Sequence, residues 1–132
     1  MNYCKIYIDS NADKAAMDSL LDEGVALFFG GGVVECDVFR NEVYFSNAAS
    51  ESLTYPVDRS RYYVEIDTDS DVIITEDAFR LGVSKMIVWL RERAIFVVAS
   101  CDFEDYVVEI TGWNWTPEQP LPPASRINLN LV

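Results

Sequence analysis

The sequence contains no histidine. It has 10 lysine and arginine residues but 22 aspartate and glutamate residues, which gives a formal net charge of −12. Without histidine, the chain lacks the side chain that most often serves as general base or metal ligand at neutral pH. The shortage of positive charge excludes binding of DNA, RNA or anionic membranes through a basic groove. The acidic surplus suits either high solubility or attraction to a basic partner.

Cysteine is also scarce, since Cys4, Cys36 and Cys101 are odd in number and far apart. The absence of a CxxC pair argues against a zinc site or a redox couple and favours free, buried thiols. No apolar run reaches the roughly 18–20 residues of a membrane span, and the N-terminus lacks the layout of a signal peptide. We therefore expect a cytoplasmic protein without membrane contact and without a cofactor.

The best-defined stretch is a helix that leads directly into a strand. Thr75 is placed to cap the helix, and residues 95–99 (IFVVA) form an apolar run without alternation, as in a central strand covered on both faces. Between them, one side of a helical wheel is apolar. This stripe comprises Phe79, Val83, Met86, Ile87, Leu90 and Ala94. The unit is the predicted core of the domain.

The remaining elements are predicted from their hydrophobic periods. A helical stripe predicts a helix from about Ala12 to Glu23, with Gly24 as a candidate end. Residues 25–29 (VALFF) fit either a further helical turn or a buried loop. Apolar or alternating runs predict strands at 3–9, 33–39, 43–45, 61–68, 106–111 and 126–132. Residues 47–60 are polar and predict a surface connection.

The order β-α-β-β-α-β plus extra C-terminal strands predicts an α+β, ferredoxin-like two-layer sandwich, with both helices on one face of an antiparallel or mixed sheet. We expect its first and third strands to be central and parallel, joined by right-handed crossovers. Strand 95–99 then lies at an edge. Residues 1–111 form this domain.

The last part of the chain, residues 112–132, is rich in tryptophan and proline. Pro117 and Pro120 have the PxxP spacing of a polyproline ligand. The preferred interpretation is a tail that packs Trp113 and Trp115 on the domain and adds a short strand, residues 126–132, at a sheet edge.

Two loop motifs resemble ligand sites but lack their diagnostic residues. Asp67, Asp69 and Asp71 have the spacing that opens an EF-hand loop. Val72 stands where that loop needs glycine, and Ala78 stands where it needs a bidentate glutamate, so we expect an acidic turn. Residues 30–32 (GGG) precede a strand and are not closely followed by lysine, so a flexible turn is favoured over a phosphate-binding loop.

Asp102, Glu104 and Asp105 form the densest carboxylate group of the predicted loops. Cys101 beside them has no histidine to activate it as a nucleophile. An acidic loop that binds a basic partner is the preferred hypothesis. Asp67, Asp69 and Asp71 form a second candidate patch, and Tyr63 adds a rigid aromatic contact.

A small, acidic, histidine-free chain with this element order resembles the immunity proteins that accompany polymorphic and contact-dependent-inhibition toxins. The segments YIDSNADKAAMDSLL, FRN, YYVEID and VVASCDFED are also similar to small actinobacterial-type proteins of this layout. The immunity resemblance implies a stoichiometric inhibitor that occludes the active site of a cognate, basic toxin domain.

Two other classes remain open. The first alternative is a ferredoxin-like regulatory domain that binds a small molecule, as a monomer or as a homodimer. An enzyme using only carboxylates and tyrosine is disfavoured by the absence of histidine and of any catalytic motif. Fold analogy supports all three classes equally.

Overall fold

The computed structural model describes residues 2–30, 33–46, 55–68 and 73–123. Its strands and helices, in chain order, are β1 (Tyr3–Asp9), α1 (Lys14–Phe28), β2 (Glu35–Arg40), α2 (Glu42–Ser46), α3 (Pro56–Arg59), β3 (Tyr62–Asp67), α4 (Glu76–Arg91), β4 (Phe96–Ser100) and α5 (Glu104–Thr111). The four strands form one antiparallel sheet in the order β2-β3-β1-β4. The predicted α+β class is confirmed, whereas the predicted strand at 126–132 lies outside the described residues.

The core lies between one face of this sheet and the helices α1 and α4. Every second side chain of β1 and β3 is buried there, and α1 contributes Met17 and Leu21. Five residues of the predicted α4 stripe are also fully buried, namely Phe79, Val83, Met86, Ile87 and Leu90. Ala94 is not part of the stripe, because it lies in the turn after α4 with a φ of 60°.

The relative direction of the two central strands was predicted wrongly. β1 and β3 are central, but they pair antiparallel, with Cys4 opposite Ile66 and Ile8 opposite Tyr62. Both β1 and β2 pair antiparallel with β3, so the crossover through α1 makes β1 parallel to β2. The parallel strands are therefore β1 and β2, which lie on either side of β3.

The apolar run at 95–99 forms β4, an edge strand of the described sheet, and its outer edge is closed by side chains. Arg91 donates from Nε and Nη2 to the Val97 carbonyl, at 3.1 and 2.8 Å. Asn114 accepts from the Ala99 amide at 2.8 Å and donates to the Ala99 carbonyl at 3.0 Å. These contacts satisfy backbone groups that a fifth strand would otherwise pair. Because its outer edge is closed in this way, an edge strand here can be as apolar as a central strand.

Both faces of β4 are covered as well. Val97 and Val98 point to opposite faces of the sheet and are 0% and 1% exposed. On the face of Val98, the Phe96 ring contacts the Arg59 guanidinium of α3 at 3.8 Å and the Trp113 ring at 6.2 Å between centroids. The start of the tail thus packs on the domain here.

Asn114→Ala is expected to lower the free energy of unfolding by about 2 kcal/mol, because the Ala99 amide and carbonyl both lose their partner in a buried place. Urea denaturation monitored by tryptophan fluorescence measures this change. Asn11→Ala changes the same residue type at an exposed position before α1 and serves as the control. A loss below about 0.5 kcal/mol, within the range of an ordinary surface substitution, would show that Asn114 does not seal the edge.

Helix α1 runs through Gly24 and includes most of residues 25–29, which decides the ambiguity in favour of helix. A Cβ atom on Gly24 would lie 3.0 Å from both Met86 Sδ and Trp89 Cζ3, so glycine allows α1 and α4 to approach closely. Gly30 ends the helix instead, since its φ of 74° is left-handed.

Two predicted strands are helices. Residues 43–45 belong to α2, where Asn41 Oδ1 accepts from the Val43 amide while Nδ2 donates to the carbonyls of Val57 and Ser60. Residues 106–111 belong to α5.

The strand prediction for residues 106–111 was wrong because it relied on their β-branched composition and not on the spacing of the apolar residues. Phe103, Val107 and Thr111 are buried at intervals of four residues, which is a helical period. Gly112, with a φ of 93°, ends this helix.

Candidate functional site

The sheet face opposite α1 and α4 carries carboxylates towards one end and aromatic rings beside them. The strand register sets three rows across β2, β3 and β1. Asp67 lies between Glu35 and Tyr3, Glu65 lies between Asp37 and Lys5, and Tyr63 lies between Phe39 and Tyr7. These nine residues are called the acid–aromatic face below.

The aromatic row is continuous. The rings of Phe39 and Tyr63 are stacked, with centroids 5.1 Å apart, and Tyr63 and Tyr7 are tilted at 6.3 Å. The ammonium group of Lys5 lies 4.4 Å from the Tyr63 centroid and 5.0 Å from the Tyr7 centroid. The row is a rigid platform that remains accessible, since Phe39 is 37% exposed.

The carboxylate end of the acid–aromatic face is rich in acidic residues. Glu35, Asp37, Glu65 and Asp67 lie on two adjacent strands, and Lys5 is the only basic residue among the nine. The Tyr3 hydroxyl donates to Glu65 Oε2 at 2.7 Å. Burial and this hydrogen bond raise the pKa of Tyr3 above its usual value, so the hydroxyl stays neutral and keeps donating.

The structure brings together two of the predicted site residues, Asp67 and Tyr63, on this face. Asp102 and Asp105 are exposed after β4, but only Asp102 lies in a loop as predicted, because Glu104 and Asp105 form the first turn of α5. Since Ser100 pairs with Lys5, the chain after β4 leaves the sheet at the end where Tyr3 pairs with Asp67. Asp67 therefore lies at the same end of the domain as Asp102 and Asp105. Asp69 and Asp71 lie outside the described residues.

Glu104 differs from its two acidic neighbours because its carboxylate is held by the protein. Its Oε2 accepts from the Cys101 amide at 3.1 Å, and its Oε1 accepts from Asn114 Nδ2 at 3.5 Å. The side chain thus fixes the chain between β4 and α5 and supports the residue that closes the β4 edge. Asp102 and Asp105 are the members of this group that face solvent.

Sequence reasoning missed most of the face, namely Tyr3, Lys5, Tyr7, Glu35, Asp37, Phe39 and Glu65. Alternation within β2 and β3 already places Glu35, Asp37 and Phe39 on one side of their strand, and Tyr63, Glu65 and Asp67 on one side of theirs. The missing information was the register that sets these sides next to each other.

Among the described residues, no group of three or more histidine, cysteine, aspartate and glutamate side chains has an arrangement that could hold a metal ion. No helix within this part of the chain is long and apolar enough to cross a membrane.

The three thiols lie on the core side of the sheet, and their surroundings shift their pKa values in different directions. A hydrogen bond from Cys4 lowers the pKa of Cys101, and the same contact, together with burial, raises the pKa of Cys4. Burial and nearby aspartates, first of them Asp22, raise the pKa of Cys36 to about 12. Cys101 is therefore the thiol with the most thiolate character.

Iodoacetamide at pH 8 is expected to alkylate Cys101 at least about tenfold faster than Cys4 or Cys36 in the folded protein, because the thiolate is the reactive form. Peptide mass spectrometry over time measures the three rates. In urea, where the surroundings are lost, the three rates should converge. Faster modification of Cys36 than of Cys101 in the folded protein would contradict this assignment.

The chain matches no protein-family model, and neither a curated protein nor a solved structure is significantly similar to it. The fold and the site define the class of protein. It is an α+β domain whose described strands form a four-stranded antiparallel sheet, and the face of this sheet opposite the long helices is acidic and aromatic.

Proposed function

We propose that this protein is a non-enzymatic binding module of the ferredoxin-like type that inhibits a basic protein toxin, as an immunity protein does. The observation that carries the proposal is the acid–aromatic face, which sets four carboxylates beside a continuous aromatic row. The sheet order β2-β3-β1-β4, with central β1 and β3 and helical crossovers, supports the ferredoxin-like assignment.

The face has the two properties that a tight inhibitor of a basic enzyme needs. The carboxylates on β2 and β3 complement a groove lined with lysine and arginine, and the net charge of −12 accelerates the encounter. Tyr63 and Phe39 supply rigid contact area at a low cost in side-chain entropy. Asp102 and Asp105 extend the negative surface at the same end of the domain.

A basic toxin whose substrate is a nucleic acid fits this surface best. Its active site must attract phosphates, and a row of carboxylates on a stiff sheet presents a similar array of negative charge. Such an inhibitor acts by occupying the site and needs no catalytic group. The absence of histidine from the chain is compatible with this mode of action.

The test begins with the gene next to the one that encodes this chain. A large secreted protein with a C-terminal toxin domain encoded there would provide the partner. Expression of that toxin domain alone should stop growth of the host, and co-expression with this chain should restore it. A neighbouring metabolic operon, or a toxin domain that this chain fails to neutralise, would contradict the proposal.

A second candidate is a regulatory domain that binds a small molecule as a homodimer. Strand β2 favours it, because β2 is the other edge of the described sheet and offers backbone groups for pairing with a second copy. Sedimentation equilibrium separates the two candidates. A stable dimer that metabolites protect against thermal unfolding would favour regulation, whereas a monomer without such protection would favour inhibition.

A further inference from the structure

We propose that a cavity next to the outer edge of β4 binds a small organic carboxylate with an aromatic or branched aliphatic body. The cavity has a volume of about 300 Å³ and lies among α3, the end of α4, the start of β4 and the tail. Its walls are mainly apolar, and its polar groups include two arginines, Arg59 and Arg91. Neither residue belongs to the acid–aromatic face.

Arg59 is placed to bind an anion. Its guanidinium lies 3.8 Å from the centroid of the Phe96 ring, and it has no hydrogen bond or ion pair with any residue in the described part of the chain. Stacking on the ring covers one face of the guanidinium and leaves the N–H donors at its edge free. A planar carboxylate matches this edge with two parallel hydrogen bonds.

Arg91 supplies fixed positive charge to the same cavity. Its donors bind neutral acceptors, the carbonyls of Val97 and Trp113 and the hydroxyl of Thr111, at 2.8 to 3.1 Å. No carboxylate within the described ranges forms an ion pair with it. Burial lowers the pKa of Arg91 to about 10, because the charge is held away from water without a counter-ion.

The surroundings of these arginines are unusual for this chain. Carboxylates outnumber basic residues by 22 to 10, yet neither arginine of the cavity pairs with one among the described residues. A bound anion would pair with Arg59 and place a negative charge in the same cavity as Arg91, whose positive charge is already held away from water. Ile95, Phe96, Trp113 and Leu121 line the rest of the cavity and suit an apolar body.

These features select the ligand class. A fully hydrated anion such as inorganic phosphate would leave the apolar walls unfilled, and a neutral aromatic molecule would leave the Arg59 donors unpaired. A monocarboxylate about the size of phenylacetate uses both parts of the cavity. The inference stands apart from the proposed inhibitor function, since it involves a different part of the surface.

Isothermal titration calorimetry of the full chain with phenylacetate tests this inference. We expect saturable binding that is at least about tenfold weaker for the uncharged analogue phenylacetamide and absent for inorganic phosphate. Arg59→Gln should weaken phenylacetate binding by about tenfold or more. Arg93→Gln is the matched control, because Arg93 stacks on Trp89 at the same 3.8 Å but does not line the cavity.

The circular dichroism spectrum of Arg59→Gln shows whether that variant is folded. Three results would overturn the inference: no binding of phenylacetate up to about 10 mM, equal affinity for phenylacetate and phenylacetamide, or unchanged affinity in a folded Arg59→Gln variant. Failure of the inhibitor proposal would leave these measurements unaffected.

Discussion

Arg91→Met is expected to lower the free energy of unfolding by about 3 kcal/mol, roughly 1 kcal/mol for each of the three acceptors that lose their hydrogen bond to the guanidinium. Arg91 donates to the Val97 carbonyl on β4, the Thr111 hydroxyl at the end of α5 and the Trp113 carbonyl in the tail. Methionine retains much of the apolar stem, so the change isolates the loss of the guanidinium. Urea denaturation of the two proteins measures the difference.

Two further variants show whether this effect belongs to the guanidinium. Arg91→Lys keeps the charge, but a compact ammonium group cannot reach three separated acceptors, so an intermediate loss is expected. Arg93→Met should cost about 0.5 kcal/mol or less, because Arg93 is exposed and its guanidinium donates to a single acceptor among the described residues, the Trp89 carbonyl. Equal losses for Arg91→Met and Arg93→Met would contradict the role given to Arg91.

The double change Glu35→Lys with Asp37→Lys is expected to slow association with the basic partner by about 10- to 100-fold at low salt. Both residues are exposed on β2, so their replacement changes the sign of the field on the acid–aromatic face without disturbing the core. Stopped-flow or surface plasmon resonance with the toxin domain proposed as the partner measures the rate. The difference from the unaltered protein should shrink as salt is added, because exposed charges are screened.

The control for this variant is Glu23→Lys with Glu92→Lys. It makes the same change in net charge at two exposed positions on the helical side of the domain. Its association rate should fall much less, because charges far from the contact are screened. Equal slowing by both double variants, or association that does not respond to salt, would show that this face does not steer the partner.

Local signals predicted the core elements well. Thr75 caps α4 through its hydroxyl, which accepts from the Ala78 amide at 3.1 Å, and the spacing of the apolar residues on α4 marked the buried stripe. The strands at β1 and β3 followed from strict alternation. In these segments, local preference and tertiary packing agree.

The predicted edge position of residues 95–99 is confirmed in the described sheet, although the run has the composition of a central strand. Arg91 and Asn114, which come from other segments of the chain, close its outer edge. The errors arose where composition and spacing disagree. Residues 106–111 have β-branched composition but helical spacing. Gly24 serves helix packing, which depends on the distant residues Met86 and Trp89.

The candidate site was predicted only in part for a related reason. Composition and loop position drew attention to the acidic residues after β3 and β4, whereas most of the face comes from alternate residues within strands. Asp37 and Lys5 are neighbours of Glu65 only because of the register. Register depends on contacts between segments far apart in sequence, which a single sequence does not display.

Hydrogen–deuterium exchange of a complex between this chain and the toxin domain proposed as its partner tests the central claim most directly. Strand β2 is an edge of the described sheet, so its outward amides exchange readily unless a partner covers them. The account predicts slower exchange in Glu35–Arg40 on complex formation and little change in α1 and α4. Slower exchange confined to those helices, with β2 unchanged, would contradict it.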